Sequence, residues 1–373
     1  MVAVRRGVLV VVAGVAVGLA GGGPAVARVS AGGGVPGWRV VREFSGCGNG
    51  QVLAVTARAP GDAWASGYEP LCPGGVTAPL LAHWNGRSWG QVSLPSRFTT
   101  GGSNGATDVA ALSGSYAWTF AGIGSASDAL LQDHGRWHVY GLAANAYVSS
   151  SVVFSRGNAW AFGSIGASAY AARFNGRAWR RVGVPVVPQS TADPGPSNIW
   201  AVGPVASPAG SQRFGLAHWT GRWATVRLPG RLLPAGARVD YAWVVSDGGR
   251  GAFVAAGISA RPGWVLLLWT GSTWVKVATP AAADVIGPIA RDGHSGLWVA
   301  SVPPGTCPAA GCDTVTMLHR HGAGTWSRTV VKVANLGLTD MRLIPGTTSL
   351  WASGNIITGS TGDFVPVILK YGL

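Results

Sequence analysis

The phrase "LAHWNGRSWGQVSLP" at 81–95 returns as "LAHWTGRWATVRLP" at 216–229. A chain that repeats a Trp–turn–Trp phrase at a distance is built from copies, and the number of copies limits the fold more than any other feature. A first Trp follows a turn at Trp64, Trp118, Trp160, Trp200, Trp298 and Trp351, with Phe253 standing in once. A second Trp closes the unit at Trp89, Trp137, Trp179, Trp223, Trp274 and Trp326, and Trp84, Phe174, Trp219 and Trp269 lie between. The mean step from Trp64 to Trp351 is about 48 residues, the length of a four-stranded propeller blade.

Seven first sites face only six closing ones. The last unit ends "VPVILKYGL", and the missing strand lies at the other end as "PGWRVVREF", with Trp38. The expected fold is all-β: a seven-bladed β-propeller of four-stranded antiparallel blades, closed by an N-terminal strand at about 37–44 that completes the last blade. Closure removes the sheet edges that would otherwise invite aggregation. Composition agrees. Gly 58, Pro 23 and Trp 18 favour short strands and turns, and Glu43 and Glu69 are the only glutamates, so helix formers are scarce. At 47% hydrophobic and 11% charged, the chain can bury a large core.

The segment 1–27 is expected to be a secretory signal: Arg5 and Arg6, then the apolar run "GVLVVVAGVAVGLAGGG", then small residues ending at Ala27. That run is too short and too rich in glycine for a good membrane span. A linker at 28–36 leads to a single domain at 37–373, expected to be soluble, secreted and monomeric. Arg5–Arg6 alone does not decide between general and twin-arginine export. The net charge of +14 allows an anionic partner outside the cell, such as a wall polymer. Solubility with biased codons explains it as well, and no motif points to sequence-specific nucleic acid binding.

Lettering the strands of each unit A to D from the channel outward places the A–B and C–D turns on one face. The longer B–C and D–A connections, at 68–79, 96–107 and 302–313, share the other. Variable loops on a rigid scaffold are where binding usually resides. Cys47 and Cys72 fall on that long-loop face near blade 1, and Cys307 and Cys312 share one loop. Four cysteines allow three pairings; Cys47–Cys72 and Cys307–Cys312 are expected in an exported chain.

Asp108, Asp240, Asp284 and Asp340 each stand at the opening of a strand A and would ring the channel mouth. They cap backbone N–H groups there, or together they bind calcium, which favours clustered hard oxygens; no other cofactor is indicated. Tyr241, Trp243 and Trp264 in blade 5 break the repeat register and would offer aromatic faces to a sugar or peptide, or reflect local repacking. Arg87, Arg136, Arg177 and Arg222 follow the turn glycine in blades 1 to 4. They form an arc that stacks on neighbouring tryptophans or holds an anionic polymer. His83, His218 and His319 share one repeat position on separate blades and cannot converge on one ion. "DGHSG" at 292–296 puts His294 beside Ser295 in a short turn and is read as turn chemistry. No G-x-S-x-G, H-E-x-x-H or phosphate-cradling glycine loop occurs, so no catalytic residue is assigned.

The recurring "DAWASG … LAHWNGRSWGQV" resembles the Trp-rich repeats of exported bacterial β-propellers and, more distantly, kelch and galactose-oxidase-like propellers, over about 37–373. The resemblance implies the fold and says little of function. The kelch double glycine, a copper-oxidase Tyr–Cys–His set and the Asp-box of sialidase-type propellers are all missing. The leading expectation is a non-catalytic secreted module that binds a protein or glycan through its long-loop face. The alternatives are an extracellular polysaccharide hydrolase or lyase working at the channel mouth with the Asp ring, and a purely structural envelope or spore-surface component.

Overall fold

The computed structural model describes residues 37–372 except 45–47, 72–75, 100–102, 124–125, 206–212, 235–238, 248, 250, 259–262, 281–284, 303–314, 323 and 359–362. The expected signal and linker at 1–36, all four cysteines and Asp284 lie outside the described residues.

Seven separate four-stranded antiparallel sheets make up the ring. The first strand, β1 (Trp38–Glu43), belongs to the last of them. Blade 1 is β2 (Gln51–Ala59), β3 (Asp62–Leu71), β4 (Val76–Trp84) and β5 (Trp89–Gln91). Blade 2 is β6 (Ser103–Ser113), β7 (Tyr116–Ile123), β8 (Ala126–Asp133) and β9 (Arg136–Gly141). Blade 3 is β10 (Ala146–Ser155), β11 (Asn158–Ile165), β12 (Ser168–Phe174) and β13 (Trp179–Arg181). Blade 4 is β14 (Ser190–Gly195), β15 (Asn198–Val205), β16 (Arg213–Trp219) and β17 (Trp223–Arg227). Blade 5 is β18 (Val239–Ser246), β19 (Ala252–Ile258), β20 (Gly263–Trp269) and β21 (Trp274–Val277). Blade 6 is β22 (Val285–Arg291), β23 (Leu297–Val302), β24 (Val315–His321) and β25 (Thr325–Val331). Blade 7 is β26 (Leu336–Leu343), β27 (Leu350–Thr358) and β28 (Asp363–Tyr371), completed by β1.

β1 pairs antiparallel with β28, from Trp38 opposite Tyr371 to Glu43 opposite Val367. Arg39 Nη1 donates to the Gly372 carbonyl at the seam. The expected closing strand is therefore where the sequence put it.

The strand-B tryptophans Trp64, Trp118, Trp160, Trp200 and Trp351 are among the largest fully buried side chains. Each wedges against the next blade. Phe174 sits 4.8 Å from Trp118, Trp219 4.9 Å from Trp160 and Trp84 5.3 Å from Trp351, mostly edge to face. Closing tryptophans tie blades by hydrogen bonds as well: the indole N–H groups of Trp137, Trp274 and Trp326 donate to carbonyls of Ser93, Arg227 and Ala278 in the preceding blade.

One expectation about the connections changes. Residues 68–79 are mostly ladder, since Tyr68 pairs with Pro79 and the rungs continue to Leu71–Val76. In the Asn–Gly turns at 85–86 and 175–176 only the glycine has positive φ, 91° at Gly86 and 92° at Gly176. Asn85 instead accepts the N–H groups of Arg87 and Ser88 on its side-chain oxygen, a local turn of the kind Asn favours. The tight two-residue hairpin occurs in blade 2, where His134 and Gly135 both have positive φ between paired Asp133 and Arg136.

The innermost strands differ from the rest. All seven A–B pairs contain a register shift, whereas none of the B–C or other C–D pairs does apart from β1–β28. A bulge leaves a residue out of the ladder and frees its backbone groups. Here side chains recover them. Thr107 and Ser149, both bulge residues, donate to the carbonyls of Phe120 and Phe162, and Ser149 also reaches Pro188 in the next blade. Thr339 donates to the Val52 carbonyl across the blade 7–blade 1 boundary.

Candidate functional site

The inner strands run from the long-loop face to the short-turn face, so their early residues line one channel mouth. Gln51, Tyr147 and Tyr241 stand near the starts of β2, β10 and β18, and Tyr68 near the end of β3. Tyr68 Oη donates to Gln51 Oε1 at 3.4 Å, and Gln51 Nε2 donates to Asn355 Oδ1 at 2.9 Å, linking blades 1 and 7. Tyr147 is 45% exposed. Burial, then the nearby Asp108 carboxyl and Tyr68 phenol, push its pKa above the ordinary tyrosine value. Burial raises Tyr68 and Tyr241 too. All three phenols therefore stay protonated at neutral pH, able to donate hydrogen bonds and poor as bases.

Deeper in the channel lie five charged groups from four blades. Asp108 is only 5% exposed and accepts a hydrogen bond from Ser151 of blade 3. Burial dominates and pushes its pKa up to about 7, against the opposing pull of Ser151 and Arg342. Asp340 accepts from the backbone N–H of Val55 at 3.2 Å and of Met341 at 2.9 Å, and its Oδ2 lies 3.3 Å from Arg342 Nε. The Asp340 carboxylate in turn raises the Arg342 pKa, keeping the guanidinium charged. Asp193, in the bulge of β14, is exposed toward the channel, with the channel wall around it. Burial lifts it to about 6, although Arg342 and Arg58 pull it down.

The expectation that these aspartates open their strands holds for Asp240, second in β18, and is corrected for Asp108 and Asp340. Asp108 and Asp340 sit in mid-strand, because β6 and β26 begin at Ser103 and Leu336, and so they lie down the channel and not at its mouth. Asp240 is in the β18 bulge and exposed, its carbonyl accepting from Gln189 of blade 4. The two described mid-strand members use protein donors as their partners. Among the described residues no group of three or more His, Cys, Asp or Glu lies close enough to hold a metal ion.

The aromatic expectation in blade 5 is corrected in part. Trp264 is 2% exposed and packs in the blade 5–blade 6 core. β20 starts two residues earlier than the loop reading allowed, and Gly257–Trp264 is a ladder rung. Tyr241 and Trp243 are half-buried, their rings 5.1 Å apart and nearly perpendicular.

The arc residues Arg87, Arg136, Arg177 and Arg222 are all exposed on the short-turn face. The expected stacking on tryptophan falls to other residues: Arg173 lies over Trp160 and Lys370 over Trp351. These are the cross-strand partners of the strand-B Trp, and His83, His218 and His319 fill the same position in other blades. Each histidine lies flat or tilted on its Trp and bonds an A–B turn residue. His83 pairs with Asp62 at 3.0 Å, His218 with Asn198 at 2.7 Å and His319 with Asp292 at 3.0 Å. "DGHSG" is turn chemistry as expected, since Asp292 Oδ1 accepts from the N–H groups of His294 and Gly296.

Sequence reasoning missed Tyr68, Tyr147, Gln51, Asn355, Asp193, Arg58 and Arg342. The one available signal was that Tyr147 is a large aromatic near the start of a strand A, where other blades carry small or aliphatic residues.

No family model matches the chain, and no curated protein matches it either. Solved structures do. YCF48 bound to D1 peptide is similar with a TM-score of 0.57 at 14% identity, over 90% of this chain and 97% of that one. Virginiamycin B lyase from Staphylococcus aureus gives 0.59 at 11%, covering 90% and 99%. A polysaccharide lyase described as ulvan lyase, bound to a saccharide of GlcA and Rha units, gives 0.58 at 13%, covering 88% and 95%. At such identities the likeness speaks for architecture alone. By its own strand pairing and by these neighbours, the chain is a seven-bladed β-propeller of four-stranded blades.

Proposed function

We propose that the protein is an interaction module that binds a segment of another protein or a glycan across its long-loop face, centred on the channel mouth, and that it does so outside the cell. The observation that carries this reading is the division of labour among side chains. The phenols of Tyr68 and Tyr147 stand near each other at the mouth as protonated donors, and Leu71 and Val76 expose 43% of their surface at the end of the β3–β4 ladder that carries Tyr68. The repeat histidines His83, His218 and His319 are tied into Trp stacks on the opposite face. A peptide-bound propeller and a saccharide-bound one among the similar structures make both ligand classes reasonable for such a face.

One observation favours the enzyme reading: an Asp108 pKa of about 7 suits a general acid at neutral pH. Screening glycan and peptide arrays with the wild type, Tyr147→Ala and Asp108→Asn separates the two. Binding that Tyr147→Ala abolishes, with no product formed, supports the module. Turnover lost in Asp108→Asn supports a hydrolase or lyase, and no Tyr147-dependent binding on either array refutes the module.

A further inference from the structure

We propose that the short-turn rim of blades 3 to 5 is a second binding surface, for an acidic polysaccharide. Arginines of blades 3 and 4 would neutralise its charges, and a half-open cavity beside Trp269 would take one of its sugar rings. This surface lies on the face opposite the long loops and does not depend on their ligand.

Charge is the first observation. From His134 to Val239 the chain has eleven arginines, no lysine and one acidic residue, Asp193, which lies in the channel. Arg173 and Arg180 stand directly opposite each other across the β12–β13 pair, both exposed. Like charges in that position destabilise a sheet. Among the described residues no acid pairs with Arg173, Arg177, Arg180 or Arg222, and the one paired arginine of blade 3, Arg156, reaches back to Asp133 of blade 2. An external anion would relieve this repulsion, and the guanidinium fork fits carboxylate and phosphate groups.

The cavity is the second observation, and it is independent of the charge. At four blade boundaries an aromatic from strand C of the next blade closes on the strand-B Trp. Phe174, Trp219, Tyr371 and Trp84 lie 4.8, 4.9, 4.6 and 5.3 Å from Trp118, Trp160, Trp298 and Trp351. Between blades 4 and 5 the aromatic is present, but the contact is not made. Trp269 packs on its own Trp274 at 5.5 Å, while Trp200 is covered by His218 at 3.6 Å, ring on ring. A cavity of about 450 Å³ opens between them, lined by Ser197, Asn198, His218, Thr220, Ala224 and Trp269 among others. That volume is within the range of small-ligand pockets.

The lining explains the choice of a sugar. The wall is mostly apolar, from Trp269, Ala224 and Val226, and the hydroxyls of Ser197 and Thr220 stand beside it without a formal charge, matching a ring with one apolar face and a hydroxyl edge. Arg222 lies two residues from Thr220 on the same turn, so a polymer with a ring in the cavity meets Arg222 at once and Arg177 one blade further on. A nucleic acid would use the arginines but has no need of this cavity.

Polygalacturonate, dextran and double-stranded DNA are the probes, with binding measured by calorimetry. Wild-type protein is expected to bind polygalacturonate and not dextran, with affinity falling roughly tenfold or more between about 50 and about 200 mM salt. The triple change Arg177→Ala, Arg180→Ala, Arg222→Ala is expected to cost at least about tenfold and flatten the salt dependence. Ala224→Trp, which fills the cavity from an exposed position, is expected to weaken binding several-fold without changing the salt slope, and Tyr147→Ala to leave it unchanged. No binding of polygalacturonate at low salt, or binding indifferent to the triple change, overturns the proposal. DNA bound more tightly than polygalacturonate, with Ala224→Trp neutral toward both, overturns the sugar as occupant. Loss of binding in Tyr147→Ala moves the site to the long-loop face and overturns it equally.

Discussion

The blade boundaries and the channel are built on opposite principles. At four boundaries one device is copied: a strand-B Trp closed by an aromatic from the next blade, three of these Trp facing a histidine or a cation across the sheet. Along the channel no two blades agree. Asp108 takes Ser151, Asp340 takes Val55 and Arg342, and Gln189 reaches Asp240 and Ala242. Packing tolerates repetition because most boundaries have the same shape to fill. The channel is where seven copies crowd onto one axis, so each must differ from its neighbours to keep charges matched. The lesson is that stability is held in the repeated part, and the individuality of the molecule in the part that departs from the repeat.

That contrast can be broken most directly at Trp160, which is fully buried. Trp160→Ala is expected to cost about 3–5 kcal/mol in denaturant unfolding. Asp340→Ala, which removes the partner of Arg342 and of the Val55 N–H in the channel, should cost less, about 2–3 kcal/mol. If the order reverses, the channel and not the boundaries holds the ring.

The two regions should also answer pH with opposite signs. Asp108 has a folded pKa raised to about 7 from an ordinary value near 3.8, so between those limits the folded state holds more protons than the unfolded one. Its contribution therefore declines as pH rises through that window, by up to about 4 kcal/mol, and melting curves of Asp108→Asn should lose the decline. Burial lowers the His218 pKa instead. Below its ordinary value the unfolded state binds more protons, and this boundary weakens as pH falls. His218→Phe keeps a ring on Trp200, so it should cost less than about 1 kcal/mol at alkaline pH and reduce the acid-side loss of Tm. Parallel pH profiles in the two variants would show that the regions are not separable in this way.

The boundaries were legible in the sequence because a repeat states the same contact several times over. Trp64, Trp160 and Trp351 announced themselves by position, and β1 by being the one missing part. The channel was not legible for a geometric reason. Each inner strand carries a bulge, and a one-residue shift changes which side chains face the axis. Asp193 and Thr339 owe their places to such shifts. The partner of Asp340 could not be read either, since Val55 is 285 residues away in sequence and comes near only when the ring closes. Trp264 misled because "ISARPGW" has the composition of a loop, yet its last two residues enter the ladder at the Ile258–Gly263 and Gly257–Trp264 rungs.

The seam between β1 and β28 has a mechanical consequence. Because Trp38 faces Tyr371, both ends of the ring leave from the same end of one strand pair. Tension applied between them would peel the rungs one after another instead of shearing all of them at once. The closed circle should thus yield to a modest pull at this single place, opening like a clasp while the other six blades stay folded.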